Sequence, residues 1–295
     1  MNVETLTLAA YCIAIILASL LGGWLPSLVR MTHTRTQLIM SCVAGLMLGV
    51  ALLHLLPHGL VQLQHSSGVD GKAMDVLVWW ALVGMVVMLL LLRLFHFHQH
   101  DFGDEGHDQQ HQDHCDHHHH DTAAHPLSWV GIAFGLGLHT LIDGIALGAS
   151  VHGGGDHGAG GNFSWIGLGV FLAILLHKPL DALSITSMMQ AGGWGTRARG
   201  AANLAFATLC PLGALLFVWG VGLLDNQAYV VGCALAFSAG VFLCISLGDL
   251  LPEVHFHSHD RVKLTVSFLV GIGLAYALRF VEPGSTHSIL AAAHP

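Results

Sequence analysis

Charge is scarce in this sequence. Of 295 residues only 9% are Asp, Glu, Lys or Arg, while 54% are hydrophobic. An ordinary soluble domain carries roughly 25% charged residues, so the soluble globular classes are excluded. With 10 Lys and Arg against 18 Asp and Glu, no nucleic-acid partner is expected. Six cysteines occur (Cys12, Cys42, Cys115, Cys210, Cys233 and Cys244), five of them in apolar segments and none in a CxxC pair. That pattern excludes a disulfide framework. There is no GxxxxGK[ST] loop, so ATP hydrolysis is not implied, and no HExxH zinc-hydrolase motif. The first apolar run begins right after Glu4 with no basic stretch ahead of it and Arg30 and Arg35 behind it. A cleaved signal peptide is therefore not expected, and an N-terminus outside the cytoplasm is.

What the chain has instead is apolar runs of membrane-spanning length. Eight are expected, at about 4–25, 38–58, 75–95, 127–151, 163–190, 201–224, 228–252 and 264–281. The fold class that follows is an all-α polytopic membrane protein, a single transmembrane domain over 1–295. The loops after the first, third, fifth and seventh spans hold Arg30 and Arg35, Arg93, Arg197 and Arg199, then Arg261 and Lys263; the opposite loops hold only Lys72. Basic residues gather on the cytoplasmic side, so both termini are expected to be extracytoplasmic, in a cell (inner or plasma) membrane with the lipid bilayer as partner.

Internal repetition refines the picture. AGLMLGVALLHLLPH (44–58) aligns without a gap on AGVFLCISLGDLLPE (239–253), pairing Pro57 with Pro252, His54 with Asp249 and His58 with Glu253. HTLID (139–143) pairs with HKPLD (177–181). Each pair lies on helices of opposite direction, giving inverted pseudo-repeats: helices 1–3 against 6–8, and helix 4 against helix 5. Secondary transporters are built this way, with the substrate site at the midplane between repeats.

His139 lies about 18 Å into the fourth span at the helical rise, and His177 lies at a similar depth in the fifth. In each helix an Asp follows the His by four residues, which stacks imidazole and carboxylate on one face. Two such faces turned together supply two nitrogens and two carboxylates around one point. Ionisable groups at that depth mark a functional site. The donor set suits Zn²⁺ first, with Fe²⁺, Mn²⁺ and Cd²⁺ as further candidates.

HTLIDGIALGA (139–149) resembles the fourth-helix signature of the ZIP (Zrt/Irt-like protein) divalent metal transporters. HKPLD is similar to their fifth-helix signature in the branch that carries His-Lys. The resemblance implies eight helices with a His-rich cytoplasmic loop between the third and fourth. It also implies a principal metal site on His139, Asp143, His177 and Asp181, with Met47 as a further ligand, and a bundle of helices 1, 4, 5 and 6 that moves against helices 2, 3, 7 and 8. A homodimer is expected on the same ground, with no prosthetic group. Many members hold a second metal beside the first; here the corresponding positions resemble Thr140, Lys178 and Cys210. A Lys there repels a second cation and can pair with Asp143 or Asp181, so one transported ion per site is expected. Pro179 sits one position earlier than the usual Pro, which shifts the expected kink.

His54 and His58, near the outer end of the second helix, are entrance candidates. Asp249, Glu253, His255 and His257, near the inner end of the seventh and just beyond it, are exit candidates, followed by His259 and Asp260. Residues 96–125 form a His/Asp-rich tract expected to be disordered and suited to weak metal buffering or to a solvated spacer role. The loop 152–161, with His152, Asp156 and His157, reads the same way. The expected function is secondary transport of divalent metal into the cytoplasm. The alternatives are a membrane-embedded zinc-dependent hydrolase, which would need three protein ligands with an open position, and a membrane metal sensor.

Overall fold

The computed structural model describes residues 3–28, 33–66, 71–95, 128–154, 167–250 and 261–281. Every regular element among them is helical: α1 (Val3–Leu28), α2 (His33–Val50, continuing through a π turn at Ala51–Leu55 into Leu56–His65), α3 (Ala73–Phe95), α4 (Ser128–Gly154), α5 (Leu168–Ala191), α6 (Thr196–Val221), α7 (Gln227–Ile245, ending in a π segment Ser246–Leu250) and α8 (Arg261–Leu278). A helix satisfies its own backbone, which a lipid-embedded segment requires. Seven of them are long and apolar enough to cross a membrane, and α8 is a shorter apolar helix. The protein is thus an all-α, multi-pass membrane protein. The observed helix ends differ from the expected spans by up to seven residues: α2 runs on to His65 rather than ending at His58, whereas α5 starts at Leu168 rather than 163 and α6 ends at Val221 rather than 224.

Helix ends gather in two sets. At one end Gln62 donates to Gly153 O (2.7 Å), and Glu4 lies 3.9 Å from His152. At the other, Ser41 donates to Leu264 O and Ser267 to Leu38 O (each 2.7 Å), and Asn203 donates to Leu20 O (3.3 Å). The beginnings of α1 and the ends of α2 and α4 therefore share one side, as alternating spans require.

The repeat is visible in three dimensions. The π turns at Ala51–Leu55 and Ser246–Leu250 fall 195 positions apart (246 − 51), the same offset as in the sequence alignment (239 − 44). Pro57 removes a backbone donor two residues after the first turn, and a widened turn relieves the clash that its ring would make with the preceding carbonyl. Packing follows the same symmetry: α2 lies along α8 and α3 along α7, while α1 lies along α5 and α4 along α6. Exchanging repeats maps each member of these two pairs of contacts onto the other. Gly45 and Gly240, again 195 apart, sit where a Cβ would run into the backbone of α8 at Phe268 and of α3 at Ala81. Membrane helices pack by such close approach, since lipid supplies no hydrophobic drive between them.

Two groups of four helices result, α1, α4, α5, α6 and α2, α3, α7, α8, joined where α7 meets α4 and α2 meets α5. α5 remains a single helix through Pro179 and α6 through Pro211. A Cβ at Gly22 of α1 would collide with the Pro179 backbone, so α1 packs directly on that turn of α5.

Candidate metal centre

The i, i+4 spacing places His139 over Asp143 on α4 and His177 over Asp181 on α5, and the two faces meet. One ligand atom from each of the four residues lies within 4.8 Å of all the others. His139 Nε2 is 3.4 Å from Asp143 Oδ2 and 3.8 Å from Asp181 Oδ2; His177 Nε2 is 3.2 Å and 3.8 Å from the same atoms. The imidazole centroids are 5.5 Å apart.

The tautomer of His177 follows from its other nitrogen. Nδ1 lies 2.7 Å from Ala173 O, and a carbonyl can only accept, so Nδ1 carries the hydrogen. In the neutral ring Nε2 then turns a lone pair toward Asp143 Oδ2. A proton or a metal cation between these two atoms satisfies both, and the Ala173 bond orients the ring as the outer partner of a metal-binding histidine does. Asp143 Oδ1 and His139 Nδ1 are buried with no hydrogen-bond partner among the described residues.

Lys178 is fully buried and points into this cluster rather than toward an interface. Its Nζ donates to Thr140 Oγ1 (2.8 Å), Asp143 Oδ2 (2.9 Å) and Asp181 Oδ2 (3.2 Å), which uses all three ammonium hydrogens. The Phe206 ring centroid is 5.1 Å from Nζ. Thr140 in turn donates to Leu136 O at 2.7 Å, so its hydroxyl oxygen is aimed at the ammonium. Cys210 is fully buried on α6, and its carbonyl lies against Gly144, one residue after Asp143.

The surroundings differ at the two ends. Toward the end where α1 begins, Ala51, Leu147, Ala173 and Ile174 are all completely buried. Toward the other end, Asp181 is the donor with the most accessible side chain, at 16%, and Ser184 one turn on is half-buried. Ala182, Ile185 and Phe206 are also buried on that side, so Asp181 is the most accessible donor of an otherwise enclosed site.

Met47 is completely buried in the main core cluster. His54 is buried too: Nε2 donates to Ala275 O of α8 (2.8 Å), and a Cβ at Gly169 of α5 would lie 3.0 Å from its Nδ1. His58 Nδ1 donates to His54 O (2.9 Å). In this conformation His54 ties α2 to α8 beside the start of α5. The side chain of Asp249, together with Arg30, Asp156, His157, Glu253, His255, His257, His259, Asp260 and the tract 96–125, lies outside the described residues. Two aromatic neighbours escaped the sequence reading, Phe206 over Lys178 and Phe242 edge-on to His177 (6.4 Å between centroids). Phe242 was within reach of it, because the ungapped repeat pairs it with Met47.

A multi-pass helical protein that turns two imidazoles and two carboxylates onto one buried point belongs to the class of membrane proteins that handle divalent cations. Residues 96–279 match the profile of the ZIP Zinc transporter family. Zinc transporter ZIP9-B of Xenopus laevis is 26% identical over 284 residues, covering 84% of this chain and 86% of that protein. Zinc transporter ZIP9 of Micropogonias undulatus is 26% identical over 287 residues, covering 84% and 85%. Zinc transporter ZIP1 of Homo sapiens is 25% identical over 159 residues, covering 51% and 44%. The chain belongs to the ZIP zinc transporter family, whose members are transporters rather than enzymes.

Proposed function

We propose that this protein carries Zn²⁺ into the cytoplasm of the cell through the midplane site formed by His139, Asp143, His177 and Asp181, with Met47 as a fifth donor. The observation that carries this reading is the convergence of those four donor atoms within 4.8 Å, deep in the helix bundle. Two nitrogens and two carboxylate oxygens suit a divalent cation of borderline softness, and Fe²⁺, Mn²⁺ and Cd²⁺ share enough of that chemistry to be competing cargo. Both termini lie outside the cytoplasm in this scheme, so the Asp181 end of the site faces inward. His54 and His58 stand at the entrance, and the segment from Asp249 through Glu253 to His257 stands at the exit. The group α1, α4, α5, α6 shifts against α2, α3, α7, α8 to expose the site alternately, and the chain works as a homodimer.

Lys178 takes the place of a second metal. A tethered ammonium within 3.2 Å of both carboxylates supplies the charge that a second cation would bring, and holds them together when no metal is bound. Its repulsion limits the site to one transported ion.

Zinc uptake into proteoliposomes tests the reading. His139→Ala and His177→Ala are expected to abolish uptake while the protein still inserts. Wild-type uptake surviving in His177→Ala rules the site out, and hydrolysis or signalling without flux rules out transport.

A further inference from the structure

Phe242 is completely buried and meets the His177 ring edge-on, with 6.4 Å between centroids and an 86° angle between planes. No role has been assigned to it above. Its position in the repeat makes it informative: 195 positions earlier (242 − 47) stands Met47, which is just as deeply buried. The offset is supported twice over in the structure, by the paired π turns and by the paired glycines Gly45 and Gly240, two residues before Met47 and Phe242.

Exchange of the repeats sends α7 to α2 and α5 to α4. By that symmetry the contact of Phe242 with His177 would correspond to one of Met47 with His139. His54 meets Gly169, and seven residues back along α2 or eight forward along α5, roughly 11–12 Å at the helical rise, brings Met47 to the level of His177, whose ring centroid is 5.5 Å from that of His139. A symmetric site would carry two thioethers, one beside each imidazole. With Met47 as the proposed fifth donor, this one would carry a thioether on one side and has a hydrocarbon ring on the other.

We infer that Phe242 sets the metal selectivity of the site by occupying the place of a second sulfur ligand beside His177. The inference rests on the reading of His139, Asp143, His177, Asp181 and Met47 as the metal site. A soft thioether favours soft ions, whereas imidazole and carboxylate suit Zn²⁺. The ring denies sulfur to the metal and packs His177 in the orientation set by Ala173, keeping the donor set hard enough for zinc over cadmium. It touches His177 rather than the metal, and its effect on selectivity lies in excluding a sulfur donor from that place.

The test is competitive uptake of Zn²⁺ and Cd²⁺ into proteoliposomes. Phe242→Met, which nearly conserves volume, is expected to raise the Cd²⁺/Zn²⁺ uptake ratio roughly fivefold by adding a soft ligand, and Phe242→Leu, which adds no sulfur, to leave the ratio near wild type. Should Phe242→Met fail to insert, Phe242→Cys carries the same expectation. A ratio unchanged in the sulfur-bearing variant, or raised equally by Leu, overturns the inference. His177→Ala separates the two levels: if it leaves uptake intact, the site reading fails, and if it abolishes uptake while the sulfur variants keep the wild-type ratio, only the role of Phe242 falls.

Discussion

His177 Nδ1 is hydrogen-bonded to Ala173 O at 2.7 Å, and that bond leaves Nε2 as the nitrogen able to bind metal. The carbonyl belongs to the preceding turn of the same helix, so the ring is oriented by its own backbone, before any contact with α4. Zinc is accordingly expected to bind through Nε2 while Nδ1 keeps its hydrogen. Nitrogen-15 NMR of histidine-labelled protein checks this: a metal-induced shift at the His177 Nδ1 resonance, with Nε2 unmoved, contradicts it.

The two carboxylates around Lys178 are not equivalent. Asp143 is fully buried and lies 2.9 Å from the ammonium, whereas the Asp181 side chain is 16% accessible and lies 3.2 Å away. Asp143→Asn should lose roughly 3–5 kcal/mol of stability, since it removes the closer anion from a buried pair. Asp181→Asn should lose clearly less. Thermal unfolding in detergent without metal orders the two, and an equal or reversed order refutes the asymmetry.

Close packing between helices gives a prediction independent of metal. Ala at Gly45 or Gly240 puts a methyl group into the backbone of a neighbouring helix, and each is expected to destabilise by about 1–3 kcal/mol. At Gly273 of α8 an added Cβ meets nothing within 4 Å, and Ala there should gain up to about 1 kcal/mol from helix propensity. The three melting temperatures decide the matter; similar shifts for Gly45 and Gly273 would contradict it.

Lys178→Asn replaces the tethered cation by a neutral donor of oxygen. Bound zinc, counted by elemental analysis of purified protein, is expected to rise from one ion per chain toward two. An unchanged count rejects the idea that Lys178 stands in for a second metal.

Much of this architecture was legible because lipid makes the sequence speak plainly. Long apolar runs located every helix, and polar residues inside them, His139, Asp143, His177, Lys178 and Asp181, stood out against that background. Helix ends were less legible: the stretch from His58 to His65, where His and Gln alternate with Leu60, Val61 and Leu63, remains helical in α2 because backbone hydrogen bonding continues past the end of the apolar run. Pairing of Lys178 with both carboxylates at once, and with Thr140, depends on how α4 meets α5, which no spacing within one helix reports. Phe206 was hidden for the same reason, as an aromatic residue in an apolar helix looks like any other until the neighbouring helix brings an ammonium to its face.

The buried ammonium also has an electrical consequence. With neutral imidazoles, two carboxylates and one ammonium sum to a formal charge of −1, and Zn²⁺ turns this into +1. On the proposed inward carrier cycle, an inside-negative membrane voltage would assist both halves, drawing the loaded form inward and the unloaded one outward, each elementary charge being worth about 2.3 kcal/mol per 100 mV. With a neutral residue at Lys178 the empty site would carry −2, so a single Zn²⁺ would leave it uncharged and a second would take it to +2, and the voltage dependence of uptake would change with the number of ions bound.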